Sequence, residues 1–448
     1  MIHKFSMLGV NMAVDVPSGS VHILDDAAYR LLDDYNEEGV LLRGDLTHEE
    51  SEAKAELDRL IQDGLLFSGD PYEAIAKHWD KQSVVKALCL HIAHDCNLRC
   101  AYCFAGTGEF HGARSMMSAE VGKKAIDFVI RASGNRKNIE IDYFGGEPLM
   151  NFGVVKKITE YAKEEGKKHG KNFRFTITTN GVLLSEDKMA YINENMSNVV
   201  LSIDGRKEVN DRVRSRVDGS GCYDTIMPKF QKLAESRHQD NYYVRGTFTA
   251  YNTDFAEDVK HLADLGFQQI SVEPVVAPDS EPYALKEEHL DAVCKEYERL
   301  TQELFDRWER GEGVNFFHFM MDFEQGPCAY KRLSGCGAGH EYVAVTPDGE
   351  IYPCHQFVGD KDFLMGTVDT GIRREDIRTM FEKTNIYTKD ACKECWARFY
   401  CSGGCSANAY NYNGSIEKPY EISCKLQRKR TECAMVLAAK KLLSEEKA

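Results

Sequence analysis

The chain has 448 residues, 43% of them hydrophobic and 28% charged, with a formal net charge of −15. That is enough chain for two or three domains with ample core, and the acidic balance argues against a general nucleic-acid-binding role, which favours a basic patch. No apolar run reaches the roughly 18 residues of a membrane-spanning helix, and the N-terminus, Met1-Ile2-His3-Lys4-Phe5-Ser6, lacks the charged-then-apolar pattern of a secretory signal.

Residues 1–80 read as a small separate domain. Strands are predicted over 5–10 and 11–16, Pro17-Ser18-Gly19 is a turn, and Ser20, Val21, His22, Ile23 and Leu24 form a third strand. Asp25 is placed to cap a helix over 26–35. A second helix over 48–63 puts Ala53, Leu57, Leu60 and Ile61 on one face, with Gly64 just past its end. Three strands followed by helices suggest a winged-helix-like module. From 84 to 311 strands alternate with helices: strands over 84–92, 139–144, 173–179, 199–204, 243–249 and 270–275, helices over 118–132, 153–169, 186–194, 222–237, 254–265 and 286–311. Six such units predict an α/β class with a parallel sheet, best fitted by a partial (β/α)6 barrel, with chemistry at the C-terminal ends of the strands. From 312 to 424 the periodicity fades while cysteine and glycine rise, so this segment is expected to fold around metal. Residues 425–448 read as one polar helix.

Fifteen cysteines is a high count. Their spacings are metal-like rather than those of a short secreted disulfide scaffold, which points to a reducing cytoplasm. Cys89, Cys222, Cys294 and Cys433 read as scattered buried thiols. Cys96, Cys100 and Cys103, spaced Cys-x3-Cys-x2-Cys, follow the first strand of the alternating region. Three thiolates suit an iron–sulfur cluster with one iron left open; the alternative is a zinc knuckle with a distant fourth ligand such as His94. Phe144-Gly145-Gly146-Glu147-Pro148 follows the second strand. Its paired glycines let backbone approach a ligand closely, and Glu147 offers an acceptor to an ammonium group. Thr178-Thr179-Asn180-Gly181 ends the third strand, Leu201-Ser202-Ile203-Asp204-Gly205 the fourth, and Glu273, between Val272 and Pro274, the sixth. Arg212, Arg214 and Arg216 offer either a carboxylate clamp or a solvated basic face. A second signature runs Cys336-x12-Gly349-x4-Cys354, then Cys392-x2-Cys395-x5-Cys401-x3-Cys405, then Cys424; Cys392 and Cys395 alone also read as zinc ligands.

The first cysteine triplet, with Tyr102 just before its last member, resembles the signature of radical S-adenosylmethionine (SAM) enzymes, and Gly145-Gly146-Glu147 resembles their amine-binding motif. The resemblance implies a catalytic 4Fe–4S cluster on Cys96, Cys100 and Cys103. It also implies SAM contacts from Tyr102, Gly145, Gly146, Glu147, Asn180, Ser202, Asp204 and Glu273. The later seven cysteines resemble SPASM domains, which carry two auxiliary 4Fe–4S clusters. By that resemblance Cys392, Cys395, Cys401 and Cys424 ligate one, and Cys336, Cys354 and Cys405 the other, whose fourth ligand is either Cys328 or a substrate thiolate.

The N-terminal module resembles the element by which enzymes that modify ribosomally made peptides bind a leader through strand addition. Ser20 to Leu24 would be the edge and the helix face from Ala53 to Ile61 the groove wall. The acidic Asp33-Asp34 with Glu37-Glu38 argues against a winged-helix DNA binder instead. Ser334-Gly335-Cys336-Gly337-Ala338-Gly339-His340-Glu341-Tyr342 and Tyr352-Pro353-Cys354-His355-Gln356-Phe357 look most like the thioether-forming, sactionine-type maturases of six-cysteine SCIFF peptides. The implied enzyme is a cytoplasmic radical SAM oxidoreductase. Its partners are a ribosomal precursor peptide with a leader and an electron donor such as flavodoxin or ferredoxin, with neither nucleic acid nor membrane. The competing expectations are another radical SAM/SPASM chemistry (sulfatase formylglycine formation or peptide carbon–carbon crosslinking), a non-catalytic iron–sulfur carrier, and a zinc-dependent regulator.

Overall fold

The computed structural model describes residues 1–77, 83–323 and 329–446. The six expected core strands are Ala87–His94, Asn138–Gly145, Asn172–Thr179, Asn198–Ser202, Tyr242–Phe248 and Gln269–Pro274. They pair in parallel, in chain order across one sheet. The first is buried along almost its whole length, as a parallel strand covered on both faces must be. The second alternates, with Ile139, Ile141 and Tyr143 fully buried. The helix Phe152–His169 buries Phe152, Val155, Ile158, Thr159 and Ala162 on one stripe and stops at Gly170, which takes a left-handed φ of 64°.

The segment after residue 312 departs from expectation, because it extends this sheet at both ends. Asn315–Phe316 pairs in parallel with the sixth strand, and Tyr342–Val345 in parallel with the first. Glu350–Tyr352, Gly366–Thr367 and Gly371–Ile372 then continue antiparallel. Val343, Ala344, Val345, Ile351 and Tyr352 are fully buried in the main core. Metal is therefore not the only thing organising the segment. Its strands are two to four residues long, too short to leave a period in the sequence.

The N-terminal strands are Ile2–Met7, Val10–Asp15 and Ser20–Leu24, an antiparallel meander. The first begins and ends earlier than the predicted 5–10, and the second starts one residue before 11–16. Leu8 and Gly9 both take positive φ, 51° and 77°, and make the two-residue primed turn that suits strand twist. Asp25 caps the helix Asp26–Leu31 by accepting from Ala28 N at 2.7 Å. That helix is shorter than the predicted 26–35 because Leu32–Asp34 tightens into a 3₁₀ turn. His48–Gln62 starts with a reciprocal capping box between Thr47 and Glu50, a device that contributes about 1 kcal/mol.

This module has a small core of its own, with Leu31, Leu32, Leu57 and Leu66 in it, but its sheet also packs into the rest of the chain. Met7, Val10, Met12 and Val14 lie in the main core, and Val16 packs with Leu333, Ile386, Cys392 and Phe399. The His3 ring stacks on Trp396 at 3.8 Å. Asp70 accepts from the Tyr387 hydroxyl at 2.7 Å and from Arg398 at 2.9 Å. The C-terminal helix, Glu421–Glu445, starts four residues ahead of the predicted 425 and includes Cys424. It is not a polar surface helix either. Leu426, Cys433, Ala434, Met435, Val436, Leu437 and Ala439 are buried, while Lys429 and Lys440 reach Glu298 and Gln302 on Leu290–Glu309. Its lysines and arginines raise the average polarity and mask the apolar faces. Among the described residues no helix is long and apolar enough to cross a membrane.

Candidate functional site

A cavity of ≈ 340 Å³ opens at the C-terminal ends of the core strands, where a barrel-like sheet places its chemistry. Cys96, Cys100 and Cys103 line it, together with Tyr102, Gly145, Gly146, Glu147, Asn180, Ser202 and Glu273. The first strand ends at His94 and hands the chain directly to this cysteine loop. Leu98–Cys100 then forms a short antiparallel ladder with Arg214–Arg216, with Arg214 opposite Cys100. Leu98 N donates to Cys96 Sγ at 3.4 Å, and Asn180 Nδ2 lies 3.6 Å from the same sulfur. Burial pushes the Cys96 thiol up to about 11 and that of Cys100 up to about 12. At neutral pH both stay protonated until a cation takes the proton's place.

Among the described residues no three His, Cys, Asp or Glu side chains converge as the ligands of one ion do. Cys96, Cys100 and Cys103 share one wall, and Cys96 and Cys103 both act on the Cys100 thiol, a soft thiolate set that fits an iron–sulfur cube. His94, the zinc alternative's fourth ligand, has its Nε2 3.0 Å from His91 Nδ1 and its ring stacked on Phe110.

The glycine pair, besides lining the cavity, makes a close approach that was not expected. A Cβ on Gly145 would stand 2.4 Å from Ala93 O, and one on Gly146 2.1 Å from Asp95 O. Gly146 N donates to Ala93 O at 2.7 Å and Glu147 N to Asp95 O at 3.0 Å. The close approach is thus to the backbone leading into Cys96, which the second strand stitches in place. Glu147 is 1% exposed. Its carboxylate accepts from Leu149 N at 2.9 Å, Thr179 Oγ1 at 2.8 Å and Asn180 N at 2.8 Å. Burial pushes this carboxyl up, against the pull of those donors and of Arg214. A carboxylate has about four acceptor positions, so one is left for a cationic group in the cleft.

Of the three arginines only Arg214 lines the cavity. Arg212 lies over the Tyr251 ring at 3.7 Å, and Arg216 bonds Thr225 and the Gly221 carbonyl. Arg214 is 6% exposed and donates to the Tyr102 hydroxyl at 2.9 Å. Tyr102 in turn donates to Asp204 at 2.7 Å, and Asp204 also accepts from Thr247 N at 3.0 Å. Asp204 is fully buried and sits behind the wall. It holds Tyr102 and Arg214, which do face the cleft. Glu273 is on the wall and accepts from Arg245 at 2.8 Å. Burial would raise its carboxyl, but Arg245, His318 and Arg430 outweigh that and hold it below the usual range.

Sequence reasoning missed Arg245, Thr247, His355, Gln356 and Asn408, all of which line the cavity. His355 packs on Phe144 and Phe104 at 5.1 and 5.4 Å. Burial and then Arg245 push it down to about 4, so it is neutral. The one available signal was its position beside Cys354, at the end of the strand that extends the sheet.

The C-terminal cysteines gather in two groups. The Cys424 thiol is pushed up to about 12, first by burial and then by Cys401, Glu421 and Cys392; Cys395 acts on Cys392 and Cys401 in the same way. Cys354 is pushed up to about 12 by burial and by Cys405 and Cys336. Every described cysteine is free; Cys328 lies outside the described residues. In the N-terminal module Ser20–Leu24 pairs on one side with Val10–Asp15, and among the described residues no strand pairs with its other side. Ile23 on that strand is exposed, and His22 bonds Leu65 O at 3.0 Å.

Residues 90–266 match the family model described as the radical SAM superfamily. An uncharacterised protein of Methanocaldococcus jannaschii is 30% identical over 224 residues, which is 49% of this chain and 71% of that protein. A cysteine-type anaerobic sulfatase-maturating enzyme of Clostridium novyi is 24% identical over 70% of this chain and 86% of its own. Among solved structures, native anSMEcpe with bound AdoMet superposes with a TM-score of 0.67 at 20% identity, covering 80% of this chain and 99% of its own. Streptococcus suis SuiB bound to precursor peptide SuiA gives a TM-score of 0.54 at 17% identity, covering 93% of this chain and 97% of its own. Both structural likenesses are of fold.

Proposed function

Because this chain belongs to the radical SAM superfamily, we propose that it is a peptide maturase of that superfamily that forms an intramolecular thioether in a ribosomally made precursor. The observation that carries this reading is the single cleft onto which Cys96, Cys100, Cys103, Glu147 and Arg214 converge. The three thiolates would hold a 4Fe–4S cluster, and Glu147 would offer its remaining acceptor position to the methionyl ammonium of SAM. Arg214 Nε is buried without a partner in the described structure, which makes it the donor for the methionyl carboxylate. Asp204 and Tyr102 fix that guanidinium. When bound, cluster and SAM would supply radical chemistry that removes one hydrogen atom from a carbon of the peptide; closing the C–S bond releases the thiol proton and one electron, for which the auxiliary clusters would be the acceptors. The low-dielectric wall built from Phe104, Phe144 and the neutral His355 keeps water away from the reacting carbon.

The two C-terminal cysteine groups are read as the seats of two auxiliary 4Fe–4S clusters, served by a one-electron donor such as flavodoxin or ferredoxin. The peptide substrate is read from the meander over residues 1–24. Its unpaired Ser20–Leu24 edge is the kind of surface that captures an extended leader. The wide coverage by SuiB, whose solved complex holds a precursor peptide, supports the same reading. Coexpression with a short cysteine-rich precursor is expected to give a product that has lost two hydrogens and resists reduction, read by mass spectrometry. A second reading, formylglycine formation, is favoured by the sulfatase-maturating relative; conversion of a sulfatase peptide with no change in the precursor would replace the first reading by the second.

Gly146→Ala tests the architecture of the cleft. Its added carbon meets the Asp95 backbone rather than a side chain that could swing away, so the cysteine loop must move. Iron retention and 5′-deoxyadenosine formation are each expected to fall at least roughly tenfold, since misplacement by about 1 Å costs more than that in a tuned site. Gly153→Ala, where nothing stands within 4 Å, should change neither.

A further inference from the structure

Lys389 is 3% exposed, and in the described structure its ammonium meets one acceptor, the Gly403 carbonyl at 2.7 Å. An ammonium has three donors, so two remain. Burial pushes its ammonium down, and the groups that oppose this are thiols, Cys392, Cys401, Cys405 and Cys424; Lys389 also lines one small cavity with Cys336. Cys392, Cys401 and Cys424 belong to one cysteine group, Cys405 to the other. The loop between Cys401 and Cys405 is shaped around the lysine. Ser402, Gly403 and Gly404 take positive φ of 59°, 86° and 72°, and a Cβ on Gly403 would stand 3.5 Å from Lys389 Nζ. At the other end Lys389 O accepts from Cys392 N at 2.9 Å. Burying an ammonium without a counter-ion is costly, and no carboxylate pairs with it among the described residues. The anionic clusters that these cysteines would hold supply the balancing negative charge that keeps it an ammonium.

We infer that Lys389 is the shared counter-charge of the two auxiliary clusters and sets their reduction potentials. The inference rests on reading those cysteines as cluster ligands. Each cluster becomes more negative on reduction, and a nearby buried cation favours that form and raises the potential. Lys389 is thus a positioning residue that acts through the clusters rather than on the substrate.

The test compares the reconstituted wild-type enzyme with Lys389→Met, Lys389→Gln and Lys389→Arg in anaerobic redox titrations followed by electron paramagnetic resonance, with iron counted for each protein. In the neutral variants the reduced-to-oxidised ratio of at least one auxiliary cluster should fall tenfold or more at fixed ambient potential, about 59 mV for one electron. The cluster on Cys96, Cys100 and Cys103 should not shift, and the arginine variant should stay near wild type. Auxiliary iron lost from both neutral variants and kept in Lys389→Arg also supports a required charge. Unchanged potentials with full iron, or iron lost equally from all three variants, overturns the inference. Wild-type protein holding only about four irons, where three cubes need about twelve, would instead sink the auxiliary-cluster reading itself.

Discussion

Alanine at Cys96, Cys100 and Cys103 together should bring 5′-deoxyadenosine formation down to background, a fall on the order of 10³-fold or more, equivalent to at least about 4 kcal/mol of barrier. Among the described residues, Glu273 on the wall is tied to Arg245, and His355 is packed against Phe144 and Phe104. His94 is engaged by His91, Glu147 already accepts three hydrogen bonds, and no cysteine besides these three lines the cavity among the described residues. The loss should not come from unfolding, because the three side chains are part-buried at the edge of the core, where they line the cavity. Thermal melting of the variant should therefore stay near wild type. Cys294→Ala, on the helix Leu290–Glu309, serves as the control and should keep full SAM cleavage. Continued 5′-deoxyadenosine production by the triple variant would remove these cysteines from the chemistry.

The strand–helix alternation was legible because each unit is long enough to show its period. Asn138–Gly145 and Phe152–His169 print their alternation and their stripe directly in the residues. The strand ends carrying Cys96, Glu147, Asn180 and Ser202 followed from the same pattern, since polar groups after apolar runs mark the open end of a sheet. Asp204 was misjudged because it lies two residues beyond Ser202 on the same strand end, and only the packing of Thr247 and Tyr102 shows that it is enclosed. Arg245 and His355 were invisible for a related reason. The first lies inside a strand, and the second is brought in by Glu350–Tyr352, a three-residue strand whose partner is fixed by tertiary pairing. The glycine pair lines the cavity as expected, and it also has a second close approach that the sequence did not show. A sequence can show that backbone must come close to something there, but not that the something is Asp95. The module's attachment also escaped detection, because the apolar residues that join it to the rest, Met7, Met12 and Val14, look like the core of a small domain.

That attachment decides how peptide recognition is to be tested. Deleting residues 1–77 would remove Met7, Met12, Val14 and Val16 and uncover the side chains they pack against, Cys433, Leu333, Ile386 and Phe399 among them. At about 1.5–3 kcal/mol for each large side chain exposed, the cost approaches the whole stability of a typical domain. A failed deletion mutant would say little about a leader. Single prolines on the edge strand avoid the problem. Successive residues of an antiparallel strand send their N–H groups to opposite sides. One of Val21→Pro and His22→Pro therefore removes a donor from the ladder with Val10–Asp15, and the other removes one from the free edge. Proline is tolerated on an edge when its missing donor faces solvent, so the outward variant is the one that keeps its melting temperature. That variant should bind full-length precursor at least tenfold more weakly, about 1.4 kcal/mol, while its SAM cleavage stays at the wild-type rate, because Ser20–Leu24 shares no residue with the cavity. Fluorescence anisotropy with a labelled precursor gives the affinity. Unchanged binding by the outward variant would move the leader site off this strand.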